Sequence, residues 1–326
     1  MSNQDTAHSR SKAEFIHQQD KPAGNNQKAD THIMPSIILI PILLLVDSLH
    51  FVFARLLFPL SPPSVSVLFV LSIATLEVGV FAVLQKKLNW DEIRRNLWLF
   101  VTLGLLISAS TTINYGAVEY IDPGIASVLS QAGTVWTVLF GLLWLKETLK
   151  SGQILGAVLA VSGIFLVNFQ AGNYVQIGSL LVLLSSALYA LHAALAKKFS
   201  EDMDLTNFFF ARLAFSSASI LIFSIFMGSL ALPQPSAWPY IILAGTFDVA
   251  VSRALYYMAL RRLKLTVHTL ILTLSPVMAI LLSAALFGSK LTSRQVVGGM
   301  IVLIGVMMVA VWRERQKPAE TPVTSQ

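Results

Sequence analysis

The chain contains no cysteine, which removes a disulfide framework, a thiolate metal site and a cysteine nucleophile together. Charge is scarce as well. Only 12% of the 326 residues are Asp, Glu, Lys or Arg, against roughly 25% in a soluble domain. No GxxxxGK[ST] loop, HExxH pair or GxSxG turn occurs, and the six histidines lack zinc-ligand spacing. ATP hydrolysis is therefore not expected, and neither is a metal or another cofactor. The chain does not read as an enzyme.

Apolar residues fill the space left by charge, at 55% of the chain. A hydrocarbon core about 30 Å thick takes about 20 such residues per helix. Runs of that kind cover 34–58, 64–84, 97–115, 123–145, 153–169, 177–196, 205–229, 238–260, 265–287 and 296–312. The expected fold is an all-α membrane protein with ten transmembrane helices. The prolines of LALPQPSAWP mark the connector before the eighth run. Residues 1–33 are polar, without an apolar h-region, and read as a disordered tail rather than a signal peptide. Residues 313–326 form a second tail.

The net charge of +6 arises from the connectors rather than from a nucleic-acid footprint. Eighteen of the 23 basic residues fall on one side: those before residue 34, Lys86 to Arg95, Lys146, Lys150, Lys197, Lys198, Arg261 to Lys264, and Arg313 to Lys317. Only Lys290 and Arg294 fall on the other. The positive-inside rule then puts both termini in the cytoplasm, across a cytoplasmic (inner) membrane.

Shifting the sequence by 142 residues aligns its halves without a gap. Leu49-His50 meets Leu191-His192, Tyr115 meets Tyr257, and Gly156 and Gly163 meet Gly298 and Gly305. Each copy, 34–169 and 177–312, holds five spans. An odd number makes the second copy enter from the opposite face, the inverted-topology repeat of many secondary transporters.

The stretches LLWLKETLKSGQILGAVLAVSGIFLV and ALFGSKLTSRQVVGGMIVLIGVMMV resemble the closing signature of an EamA-type repeat in the drug/metabolite transporter superfamily. ALYALHAALAKKF and FFFARLAF resemble the opening of the second repeat. The resemblance implies ten helices, inverted repeats and carriage of small polar or amphipathic metabolites, often outward. It also implies that Arg212 is kept whatever the cargo. Two departures stand out: Ser289 matches Glu147, and Val70 matches Arg212 while Glu77 follows seven residues later.

Ionisable groups inside spans cost at least ~2.5 kcal/mol at a helix centre and face a cavity or a partner. Asp47 and His50 share a helix face through i,i+3 spacing. They form a candidate proton-responsive couple, since an imidazole titrates near neutrality; the alternative is a helix-to-helix hydrogen bond. His192 is placed toward the opposite leaflet by the inversion. Asp248 lies near the middle of the eighth span. Arg253, five residues on, is turned by about 140° and should not pair with it. Arg212, Asp47 and Glu77 are the candidate partners. Arg253 or Arg212 could grip a substrate carboxylate or phosphate.

Neutral polar residues point to a cavity. Ser127, Ser130, Gln131, Thr134 and Thr137 recur along the fourth span, Thr266, Thr269, Thr273 and Pro276 along the ninth, and Thr111-Tyr115 and Arg253-Tyr257 occupy matching positions. Tyr115 and Tyr257 could stack on a cargo. Gly152, Gly156, Ala160 and Gly163, with Gly298 and Gly305, read as a packing stripe. Arg55 and Lys197 are expected to snorkel, and Glu119 and Asp122 to be solvated.

The expected function is secondary transport of an amino acid or similar metabolite, in the export direction, by alternating access. A membrane-embedded sensor or enzyme on the same fold is the alternative. The expected partners are a small-molecule substrate, protons, the lipid bilayer and a second copy of the chain as a homodimer, with no nucleic acid.

Overall fold

The computed structural model describes residues 36–143, 151–168, 177–200, 203–262 and 272–314. The chain divides into Met1–Ile38 and Leu39–Gln326, and the architecture below is that of the second unit. The tail expected at 1–33 lies outside the described residues, as do Glu147, Thr266 and Thr269; of the tail expected at 313–326, the first two residues continue the last helix and the rest lie outside the described residues.

Among the described residues every regular element is helical, as lipid requires of a chain that must satisfy its backbone polar groups within each segment. The first half contains α1 (Ser36–Asp47), α2 (Leu49–Leu57), α3 (Pro63–Leu84), α4 (Trp90–Arg95), α5 (Leu97–Ala117), α6 (Pro123–Ser130), α7 (Ala132–Leu143) and α8 (Ser151–Asn168). The second contains α9 (Ile177–Phe199), α10 (Leu205–Phe226), α11 (Trp238–Leu243), a π-helical stretch (Ala244–Val251), α12 (Ser252–Arg262), α13 (Ser275–Phe287) and α14 (Ser293–Glu314).

Among the described residues six helices are long and apolar enough to cross a membrane: Leu39–Leu57, α3, α5, α9, α10 and Ser293–Trp312. The other four expected spans are shorter or interrupted. The fourth breaks at Gln131 between α6 and α7, the fifth has an apolar part of Ser151–Val167, the eighth contains the π-helical stretch, and the ninth is interrupted by a turn at Leu274 before α13. Polar residues accompany three of these interruptions, and Pro276 sits in the first turn of α13. Large apolar side chains stand exposed on the long helices, among them Leu76, Leu105, Leu180 and Phe226. Such a surface is suited to lipid rather than water.

Phe51, Leu57, Val70, Leu129, Ile241 and Val302 belong to one apolar cluster that joins both halves of the sequence. Residues 142 apart meet within the bundle: Thr75 Oγ1 and Ser217 Oγ are 3.0 Å apart. The glycine contacts are reciprocal as well. A Cβ on Gly156 would lie 2.7 Å from the Gly305 carbonyl oxygen, and one on Gly163 would lie 2.7 Å from that of Gly298. A two-fold relation between copies produces such exchanged pairs, because a contact between i and j recurs between their equivalents.

Polar residues fix the connectors. Asp122 caps α6 by accepting from the Gly124 amide at 2.8 Å, and its other oxygen accepts from Ser283 at 2.9 Å and from Ser289. The expectation of a solvated Asp122 is thus corrected: those hydroxyls replace water as its partners. Arg55 is likewise not simply at the headgroups, since its Nη1 donates to the Val118 carbonyl at the end of α5. Glu119 is exposed, as expected.

Asp204 caps α10 by accepting from the amides of Thr206 at 2.9 Å and Asn207 at 3.1 Å. Asn207 is buried; its Oδ1 accepts from the Asn89 amide, and its Nδ2 donates to Glu92. Asp204→Ala should cost about 1 kcal/mol, the usual cost of losing an N-cap. The midpoint of thermal unfolding of the purified protein would fall accordingly; an unchanged midpoint would show that water satisfies those amides equally well.

Candidate functional site

A cavity of about 370 Å³ lies between helices from both halves of the chain. The break after α1 and the start of α2 bring Asp47, Ser48 and His50 to it, while α5 contributes Ser110, Thr111 and Asn114. The interruption around Gln131 exposes that residue to the cavity together with Ser127, Ser130 and Thr134. From the second half come Ser185, Ser186 and Tyr189 of α9, Arg253 of α12, and Thr273, Ser275 and Pro276 at the start of the ninth segment. Its size falls within the usual range for a small-molecule site.

The acid that meets His50 is Asp248, not Asp47. His50 Nδ1 lies 3.0 Å from Asp248 Oδ2, and His50 Nε2 lies 3.4 Å from the Asn114 amide nitrogen. One neutral tautomer satisfies both contacts: Nδ1–H donates to Asp248, and Nε2 accepts from Asn114. Asn114 Oδ1 is buried without a hydrogen-bond partner. A half-turn of that amide would offer an acceptor to a doubly protonated ring, so the same three side chains can accommodate either charge state. The His50 ring also meets Tyr115 edge-on at 5.6 Å. Asp47 shares the large cavity but has no ion pair among the described residues.

A smaller cavity of about 80 Å³ lies beside the first. Arg212, Asp248 and Tyr115 line it, while His50, Thr111, Tyr189 and Arg253 border both spaces. Arg212 is buried with its guanidinium 4.9 Å from the centre of the Phe209 ring, and Arg253 lies 5.8 Å from that of Tyr256. The π-helical stretch positions two polar contacts: Asp248 reaches His50, and Thr246 donates to Glu77 Oε1 at 2.6 Å. π-turns inside helices frequently mark functional sites.

Of the remaining candidates, Thr273 is buried at the large cavity. His192 is buried against Tyr189, with ring centres 5.5 Å apart, and lines neither cavity. Glu77 lies apart from both, and the side chain of Tyr257 lies outside the described residues. Thr137 binds the Gly133 carbonyl of its own helix instead of facing the cavity.

The sequence reading passed over Asn114, Ser110, Ser185, Ser186 and Tyr189. Ser110 and Ser185 exchange hydrogen bonds with each other's carbonyl groups and tie α5 to α9. Their positions carried a weak signal. Asn114 follows Thr111 at i+3, but the repeat equivalents of Ser185 and Ser186 are Leu43 and Leu44, so a search for shared polar positions misses them.

The EamA-like transporter family model matches residues 34–169 and 176–311. An uncharacterized transporter of Archaeoglobus fulgidus is 24% identical over 244 residues, covering 73% of this chain and 85% of that protein. An uncharacterized transporter of Methanothermobacter thermautotrophicus is 21% identical over 239 residues, 70% of this chain and 69% of its own. A chain solved by crystallography aligns over 86% of this one and 98% of its own length, with a TM-score of 0.60 and 16% identity, a likeness of fold. The six long apolar helices and these matches make the chain a multi-pass membrane protein.

Proposed function

This chain belongs to the EamA-like transporter family, and from that premise we propose that it is a secondary carrier exporting a small zwitterionic metabolite, an amino acid or similar compound. It crosses the inner membrane ten times as two inverted five-helix copies, with both termini in the cytoplasm. Alternating access proceeds around the large cavity between the copies.

The observation that carries the reading is the cavity's content: Asp47 and Arg253 enclosed with a wall of hydroxyls and amides. Arg253 offers a fork of donors to a carboxylate, and Asp47 offers an acceptor to an ammonium. The hydroxyls of Ser130, Thr134 and Thr273, with the Gln131 amide, replace the hydration lost on entry. His50, Asp248 and Asn114 form the element whose charge state couples the cycle to protons.

An enzyme on this fold is less well supported. Both His50 ring nitrogens are engaged, by Asp248 and Asn114, so no Ser or Thr hydroxyl is held against the ring as an activated nucleophile would be. The relatives named as transporters point the same way.

The test is counterflow in vesicles containing the purified protein, using a panel of labelled amino acids and related metabolites at two pH values. Arg253→Gln should raise the apparent KM for a carboxylate-bearing cargo about tenfold or more, because a hydrogen bond to a charged group contributes ~1.5–3 kcal/mol. Failure of every compound to move under any gradient overturns the carrier reading. Equal transport by Arg253→Gln removes its role in carboxylate recognition.

A further inference from the structure

A third space, an apolar groove of about 280 Å³, lies away from the two cavities between α3, the start of α10, and the π-helical stretch with α12. Val78, Phe81, Leu205, Phe209, Ala250 and Val251 line it, and Glu77 places a carboxylate among them. Glu77 is seven residues from the Leu84 end of α3, about 10 Å along the helix at 1.5 Å per residue. On the same helix Leu76, Val80 and Phe81 are more than half exposed, so this flank faces lipid.

A carboxylate at this depth needs protonation or a counter-charge. Of the other acids, Asp248 meets His50, Asp122 meets Ser283 and Ser289, Asp204 lies 3.9 Å from Lys87, and Asp47, which also has no ion pair among the described residues, opens to the large polar cavity rather than to an apolar groove. Among the described residues Glu77 has the Thr246 hydroxyl on Oε1 and no ion pair. Its repeat equivalent is Ser219, and that of Thr246 is Gly104. A Cβ at Gly104 would lie 2.7 Å from the Phe215 backbone, so the equivalent position is closely packed.

We infer that Glu77 and this groove bind a lipophilic monovalent cation, at one site per chain that is separate from the central cavity. The cationic head pairs with the Glu77 carboxylate, which the Thr246 hydroxyl orients. The hydrocarbon body lies along Phe81, Phe209 and Val78, entering from the lipid side. Charge complementarity selects this occupant: a lipid tail alone leaves the carboxylate unpaired, and an anionic amphiphile places like charges together. Phe209, which carries Arg212 near its ring, separates the groove from that arginine's cavity.

The test uses tritiated dodecyltrimethylammonium, below its micelle concentration, with the full chain in lipid nanodiscs and empty discs as background. Saturable binding of one molecule per chain is expected. It should weaken at least tenfold in Glu77→Gln and in Ala250→Phe, which fills the groove but leaves the carboxylate. Dodecyl sulfate should not compete. Binding that survives both substitutions, or that dodecyl sulfate displaces as well as an unlabelled cation does, overturns the inference. So does an absence of saturable binding in the parent chain. Because the measurement is of binding alone, its outcome is independent of whether the central cavity transports a zwitterion.

Discussion

Asp248→Asn is expected to leave a folded protein whose transport no longer changes between pH 5 and 8, the range in which an imidazole ordinarily changes charge. The substitution keeps the shape of the side chain, and its carbonyl oxygen can still accept from His50 Nδ1–H. It removes the negative charge that faces the ring at 3.0 Å. His50→Ala should have a larger effect on the fold. It leaves the buried Asp248 carboxylate without its partner and removes the ring that packs on Tyr115 and Phe51. Loss of a partner to a buried polar group costs about 1–3 kcal/mol, and transport should fall at least tenfold. Rates measured in vesicles across that pH range, with thermal unfolding of each variant, separate the two effects. A parent-like pH profile in Asp248→Asn removes the proposed coupling through this pair. His50→Ala with unchanged stability would show that the carboxylate finds another partner.

The second large effect concerns α8 and α14, whose axes approach through glycine. A Cβ at Gly305 would lie 2.4 Å from the Ala160 nitrogen and 2.5 Å from the Gly156 carbonyl oxygen. Both obstacles are backbone, which no rotamer change can move. Gly305→Ala should therefore cost about 1–3 kcal/mol, the range for an overpacked core, and Gly305→Leu should prevent accumulation of folded protein. Gly299 in the same helix supplies the contrast. Its Cβ would meet nothing nearer than the Val128 side chain at 3.7 Å, an ordinary contact. Gly299→Ala should be neutral or stabilising by up to about 1 kcal/mol, because alanine favours the helix. Detergent-resistant fluorescence of tagged variants, followed by thermal unfolding, would read the series. If Gly305→Ala matched Gly299→Ala, the close crossing would not be present in the membrane.

These examples separate what the sequence made legible from what it concealed. The glycine stripe and the 142-residue offset were visible because each is a regular spacing, and the exchanged pairs Gly156 with Gly305 and Gly163 with Gly298 follow from both. The polar faces of the fourth and ninth segments were visible for the same reason, and Ser130, Gln131, Thr134 and Thr273 share the cavity. Pairings between distant elements were not. Helical spacing puts Asp47 beside His50 on one face, yet the partner 198 positions away wins because α2 packs on the π-helical stretch. The interruption at Gln131 and the wide turn at Ala244–Val251 were concealed too. Both depend on which backbone bonds form, and an apolar run of suitable length reads as one continuous helix.

That wide turn sets the angular phase between the two ends of the eighth segment. In an ordinary helix each residue advances the side chains by about 100°, so a wide turn offsets everything beyond it relative to what precedes it. Asp248 sits inside the turn and Arg253 just after it. Sequence drift that regularised the helix, while changing neither residue, would rotate the guanidinium relative to the carboxylate and away from the space they share. The turn is thus a spacer whose worth is invisible in any inventory of polar side chains: it lets one helix address His50, Glu77 and the large cavity from three directions.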